Sequence, residues 1–290
     1  MPGMREIKAK IKSLKGTRRI TAAMKAVSAA KLRKAQEELF NIRPYAEVMK
    51  GMTEGLYLRE NPAVHSIFKK RPVKRIELVV FSSDKGLCGA FNSNIIRNVN
   101  KFAQEKLKEG IDISLTTVGN KASHFFTKYS DLKVRKAIRD IFRRIGLPLA
   151  NEIAIDLYLG YMSEYFDEVY LVYNKFYNAL RQEVVFEKIM PLSVEVEEDA
   201  PIAEYTVGPD ESVVEEAVKG YASAVVLRAL KESETSEHAA RMTAMDNATK
   251  NAEELIKKLT LSFNKARQAA ITKELIEIVT AIEAMKKSGG

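Results

Sequence analysis

Beyond Pro209 the chain runs to Lys287 without another proline and with a single glycine, Gly220. Within that stretch Thr235, His238, Met242, Met245, Thr249, Ala252, Ile256, Leu259, Phe263, Ala266 and Ala270 alternate spacings of three and four, five unbroken heptads. A stripe repeating every 3.5 residues keeps one face toward a partner helix, which is the requirement for a coiled coil. Past Ala270 the stripe moves by one residue, to Ile271, Leu275, Ile278, Ile282 and Met285, so the end of the helix should present a different face. Gly208-Pro209-Asp210 supplies turn and helix-start chemistry. A helix from there to the end would reach about 115 Å.

The other end of the chain is also helical by pattern, from Met4 to about Leu58. Ile7, Ile11, Leu14, Ile20, Met24 and Val27 recur at helical spacing, and Leu32, Ala35, Leu39 and Ile42 resume it. Pro44 should bend or interrupt this helix, because it removes an amide donor and crowds the preceding turn. Between the two helices the period changes. Ile76–Phe81, Ile113–Val118 and Val169–Tyr173 are short β-rich runs, separated by helical patterns near Asn94–Lys108, Lys121–Tyr129 and Asn151–Tyr165. Such alternation implies a mainly parallel sheet covered on both faces, with Glu183–Ile189 as an antiparallel edge strand.

Each terminal helix exposes an apolar seam, and pairing antiparallel lets each cover the other. The expected fold is therefore α/β with long helices: a two-helix antiparallel coiled coil plus an inserted Rossmann-like α/β domain. The predicted parts are 1–58 (first coil helix), 59–208 (α/β domain) and 209–290 (second coil helix).

Composition narrows the function classes. Among 290 residues, 46% are hydrophobic and 29% charged. No apolar run approaches the roughly 18 residues of a membrane span. The basic first 34 residues lack the apolar core and cleavage site of a secretory signal. Cys88 is the only cysteine, which excludes an internal disulfide and suits a reducing compartment. His65, His124 and His238 lack zinc-ligand spacing and read as surface or packing residues.

The net charge is +9, but residues 1–75 carry 19 Lys+Arg against 6 Asp+Glu, while residues 183–240 carry 4 against 14. Such asymmetry fits different partners along the length. A basic coiled coil binding nucleic acid is the alternative function. Against it, no aromatic residue lies among the bases between Arg5 and Lys34, so nothing there would stack on bases.

The densest small-residue stretch is Ser82 to Asn92, between a predicted strand and a helix. It has two readings: a phosphate cradle using Lys85 and a helix N-terminus, in a nucleotide-binding enzyme, or tight turn chemistry joining strand to helix. It fits neither GxGxxG nor GxxxxGK[ST], which favours the turn. Cys88 has no histidine within its stretch to activate it. Glu195, Glu197, Glu198 and Asp199 read as a solvated acidic loop rather than a metal site. HExxH, GxSxG, CxxC and EF-hand patterns are missing from the sequence, which argues against catalysis and gives no cofactor.

Three stretches, in order, resemble the gamma subunit of F-type ATP synthases. They are Lys8–Ser13 continuing into Thr21–Ala35, the loop Asp84–Asn92, and Ala240–Thr249 followed by Asn264–Glu277. One departure is Ala281-Ile282, where that family usually carries Gly-Ala; it touches only packing at the helix end. The resemblance implies a non-catalytic central rotor shaft, coupling proton flow to ATP synthesis and regulating ATPase activity and proton flow. Implied partners are the alpha and beta subunits, the epsilon subunit and the c-subunit ring. Met24 would face the lever loops of the beta subunits, and Arg267, Gln268, Thr272 and Glu274 would form a catch against them. Glu204 and Tyr205 would meet the c ring, and the acidic head surface would hold epsilon. The implied place is the cytoplasmic face of a bacterial inner membrane, peripheral to it.

Overall fold

The computed structural model describes residues 4–59, 71–141, 144–192 and 211–288. Expectations placed on His65, Glu195 to Asp199, Glu204, Tyr205 and the Gly208-Pro209-Asp210 turn lie outside the described residues, as does the side chain of Met285. The elements are α1 (Met4–Arg59), β1 (Arg75–Phe81), α2 (Phe91–Lys108), β2 (Asp112–Val118), α3 (Asn120–Tyr129), β3 (Lys133–Ile138), α4 (Leu147–Met162), β4 (Glu168–Phe176), β5 (Gln182–Met190) and α5 (Glu211–Ser288). By its internal contacts the chain divides into two units, Met1–Val27 with Ala244–Gly290, and Ser28–Thr243. Helices α1 and α5 contribute to both.

In the first unit α1 and α5 pair antiparallel. Arg18 reaches Glu253 at 3.7 Å, the Thr21 and Thr249 hydroxyls hydrogen-bond at 2.7 Å, and Lys25 donates to Asp246 at 2.6 Å. On α5 the predicted heptad positions Met245, Thr249, Ala252, Ile256, Leu259, Phe263, Ala266 and Ala270 are all shielded, and from Thr249 to Ala270 they alone are. On α1 the expected seam needs correction. Ile7, Ile11, Leu14 and Met24 are turned inward to differing degrees, but Ile20 and Val27 are 63% and 58% exposed, and Thr21 takes the inner place. The strict heptad through Ile7 and Leu14 passes through Thr21, so side-chain polarity hid the true stripe.

The register also explains the end of α5. It sets Met4 level with residues near Arg267. From there α5 has outrun α1, and Ile271, Leu275, Ile278 and Ile282 are all exposed. The shifted stripe expected beyond Ala270 therefore covers nothing within the described chain. Glu253 of α5 is spent across the seam, on Arg18 of α1.

The second unit holds the sheet, ordered β3-β2-β1-β4-β5, with β5 antiparallel and the rest parallel. Strand β1 is buried along nearly its whole length, as a central parallel strand must be. Its Ile76, Leu78 and Val80 pack under α2 and α3, whose Ile95, Val99, Ala103, Ala122 and Phe126 complete that core. Val79 and Phe81 face the opposite way, into a larger core with α4 and the α5 residues Val214 to Leu230.

Edge strand β3 has no apolar run to announce it. Its Arg135 instead holds the buried Glu77 of β1 at 3.0 Å and Asp156 of α4 at 2.6 Å, with the Ser114 and Thr116 hydroxyls also on Glu77. Pro44, expected to disturb α1, lies inside a helix that continues to Arg59. The carbonyl deprived of its donor belongs to Phe40, an exposed position open to solvent.

Candidate functional site

In an open sheet, connections leaving in opposite directions open a crevice at the carboxyl ends of adjacent strands, and ligands commonly bind there. Here that place lies between β1 and β4, bounded by the Ser82–Asn92 loop and the end of β4. Side chains of the chain's own helices fill it. The Arg241 guanidinium on α5 donates to the carbonyls of Lys85 and Gly86, each at 3.3 Å, and is steadied by Glu237 at 2.7 Å. The Ser236 hydroxyl donates to the Asn174 carbonyl at 2.9 Å. Glu232 accepts the Phe176 amide at 2.7 Å and the Arg43 guanidinium at 2.8 Å, while Arg43 also donates to the Phe176 carbonyl at 2.7 Å.

The loop itself shows turn chemistry. Leu87 and Gly89 sit at positive φ, the Ser83 amide is tied to the Asn92 side chain, and the Asp84 carboxylate takes the Asn120 amide. Two of its carbonyls point at a guanidinium, the reverse of an amide nest that cradles phosphate. Burial pushes the Cys88 thiol up, only partly opposed by the Ser83 hydroxyl, so the thiolate a nucleophile needs is disfavoured. Of the two readings, the turn is the one the geometry supports.

The residues singled out from the resemblance fall on the first unit. Met24 is half-buried at the margin of the seam, one residue before the Lys25–Asp246 pair. Arg267, Gln268, Thr272 and Glu274 are all exposed, just where α5 outruns α1. Gln268 and Thr272 stand one turn apart, with the Thr272 hydroxyl on the Gln268 carbonyl at 2.9 Å. Arg267 and Glu274 lie two turns apart on another side of the helix. The chain thus does not draw the four into one internal cluster; it displays them.

Electrostatics separate the two units. In the first, Asp246 is held below its usual range by hydrogen bonds from Lys25 and Lys250. In the second, a cleft of about 300 Å³ is lined by Lys31, Lys34, Glu38, Ile145, Lys231, Glu234 and His238. Lys231 bridges Glu38 at 2.6 Å and Glu234 at 2.9 Å. His238 is 5% exposed and its Nδ1 has no hydrogen-bond partner among the described residues. Desolvation, helped by Arg241 and Lys31, lowers its pKa to about 4.

Sequence reasoning missed Arg43, Glu232 and Ser236. A signal existed: from Tyr221 to Leu230 the helix is small or apolar on nearly every side, the pattern of a helix enclosed all round. Charges directly after such a stretch have to find partners inside.

The sequence model described as "ATP synthase" matches residues 3–285. The ATP synthase gamma chain of Geobacter metallireducens is 41% identical, over 99% of this chain and 100% of its own. That of Heliobacterium modesticaldum is 42% identical, over 98% and 100%. Among solved structures, the central stalk/c-ring of the Tetrahymena thermophila mitochondrial ATP synthase superposes with a TM-score of 0.61 at 27% identity, covering 79% of this chain and 99% of that one. A chain of the Euglena gracilis mitochondrial enzyme, in its OSCP/F1/c-ring structure, gives 0.70 at 21% identity over 98% and 95%, a likeness of fold. The chain belongs to the ATP synthase gamma chain family.

Proposed function

We propose that this chain is the central rotor shaft of an F-type ATP synthase, coupling proton flow through the membrane sector to conformational change at catalytic sites carried by other subunits. The observation that carries the reading is the combination of a polar-locked antiparallel helix pair with an α/β domain whose ligand crevice is filled by its own coil. A domain sealed in that way serves as a grip. It supports a non-catalytic role for the chain.

An asymmetric rod inside a ring of similar subunits gives each site different contacts, and turning the rod exchanges them. Driving a site from 1:99 to 99:1 between two states takes about 5.5 kcal/mol of differential contact. The displayed residues Arg267, Gln268, Thr272 and Glu274, with Met24 lower on α1, would supply contacts to the alpha and beta subunits. Glu204 and Tyr205 would meet the c ring, and the acidic head surface the epsilon subunit. Through these contacts the shaft would also regulate ATPase activity and proton flow. We retain 1–58, 59–208 and 209–290 as the functional parts. The relatives are bacterial and no described helix is long and apolar enough to cross a membrane, which supports peripheral attachment at the cytoplasmic face of the inner membrane.

Nothing favours the nucleic-acid alternative: Arg18 and Lys25 of the basic helix are engaged by Glu253 and Asp246. Co-purification of the tagged chain with alpha and beta subunits tests the proposal. Salt-sensitive retention of duplex DNA without those subunits would overturn it.

A further inference from the structure

Phe176 ends β4, and it is gripped from two helices at once. Its ring is buried among Leu32 and Leu39 of α1 and Ala239 of α5, so the sheet inserts a side chain into the seam of the helix pair. Its amide and carbonyl are both bound, the amide by Glu232 and the carbonyl by Arg43. Glu232 and Arg43 are themselves joined at 2.8 Å, closing a ring of three residues from β4, α5 and α1. Glu232 is almost fully buried, and Arg43 about one-third exposed.

Most of the remaining contact between α5 and the sheet is aliphatic, from Val214, Val218, Ala222, Val225, Val226, Ala229 and Leu230. Apolar burial has no direction, so it opposes separation better than it opposes sliding. Hydrogen bonds with fixed geometry oppose sliding. Of the other polar links between α5 and the sheet, Arg228 with Glu187 joins two long side chains and engages no backbone, and Ser236 holds the Asn174 carbonyl alone. Among the described residues of the sheet, only Phe176 has its buried ring and both main-chain groups held by the two helices.

We propose that the Phe176–Arg43–Glu232 ring is the key that passes twist between the α/β domain and the helix pair. This rests on the shaft reading and adds to it the place where torque enters the coil. Glu232→Gln keeps an acceptor for the Phe176 amide but removes the charge that holds Arg43. Arg43→Lys keeps the charge but cannot serve two partners in the planar fork geometry of a guanidinium.

The test uses the complete synthase in membrane vesicles, compared with its catalytic sector detached from the membrane. For Glu232→Gln, proton-driven synthesis and ATP-driven pumping should fall by about fivefold, as expected when a charge-assisted hydrogen bond to Arg43 becomes a neutral one. Hydrolysis by the detached sector, which turns the shaft without a load, should stay at the wild-type rate. Arg43→Lys should fall between the two, and it decides the matter if Glu232→Gln does not assemble. Pumping and detached hydrolysis falling in equal proportion, or neither changing, would overturn the inference. A wild-type chain that never enters the complex would instead sink the shaft reading.

Discussion

His238 should make this protein sensitive to acid, and the size of the effect follows from its surroundings. It occupies a heptad position on α5, with Lys31, Lys34 and Glu38 of α1 and Lys231, Glu234 and Arg241 of α5 around it, and Ile145 closing one side. Burial removes water from the ring, and Arg241 and Lys31 repel a second positive charge, so the native state holds the imidazole neutral down to about pH 4. The unfolded chain accepts a proton at the ordinary value of 6.5. Where the unfolded state binds more protons, stability falls as pH falls. The contribution is therefore complete above about pH 7, shrinks through the window from 6.5 to 4, and levels off below. At pH 5 the loss is about 2 kcal/mol, and at pH 4 about 3 kcal/mol. Urea unfolding of the full chain at pH 7.5 and pH 5, alongside His238→Gln, isolates this share because glutamine does not titrate. The wild type should lose about 2 kcal/mol more than the variant between the two values. Equal losses, or an NMR titration that puts the His238 midpoint near its ordinary value, would refute the reasoning.

Three further substitutions, at Gly119, Arg267 and Met24, have expected outcomes. Gly119→Ala should destabilise by more than about 3 kcal/mol in denaturant unfolding, because φ is 101° and the added Cβ would lie 2.1 Å from the Ser82 carbonyl oxygen. Arg267→Ala removes an exposed side chain, so the melting temperature should hold while coupled ATP synthesis drops; parallel loss of assembly and synthesis would count against the proposed catch. Met24→Lys sets another cation beside Lys25, and reconstituted vesicles should show impaired proton-driven synthesis; unchanged synthesis would remove Met24 from the interface.

Much of the fold was legible because it depends on period. The heptads from Thr249 to Ala270 matched the shielded face of α5 residue for residue, since a coiled-coil stripe is set by spacing alone. The apolar runs of β1, β2 and β4 declared themselves because parallel strands are buried on both faces. What failed was the inference from polarity to burial. Thr21 lies inside while Ile20 and Val27 lie outside, because a polar pair across the seam satisfies itself and leaves neighbouring apolar residues to solvent. Strand β3 was hidden for a related reason: Arg135 is stabilised by carboxylates on β1 and α4, which lie far away in sequence. The Ser82–Asn92 loop was legible as a turn, whereas its guanidinium plug comes from Arg241, and only the tertiary structure joins them.

Within the enzyme α1 and α5 should turn together as one axle. Thr21 and Thr249 face each other with hydroxyls 2.7 Å apart, so cysteines at both positions would bring their sulfurs within reach of each other. Single-molecule rotation of the assembled complex, recorded before and after oxidation of Thr21→Cys/Thr249→Cys, tests the claim directly. Rotation at the same rate with the bond closed is the predicted result. Arrest on oxidation, released by reductant, would show the two helices moving against each other and contradict the account.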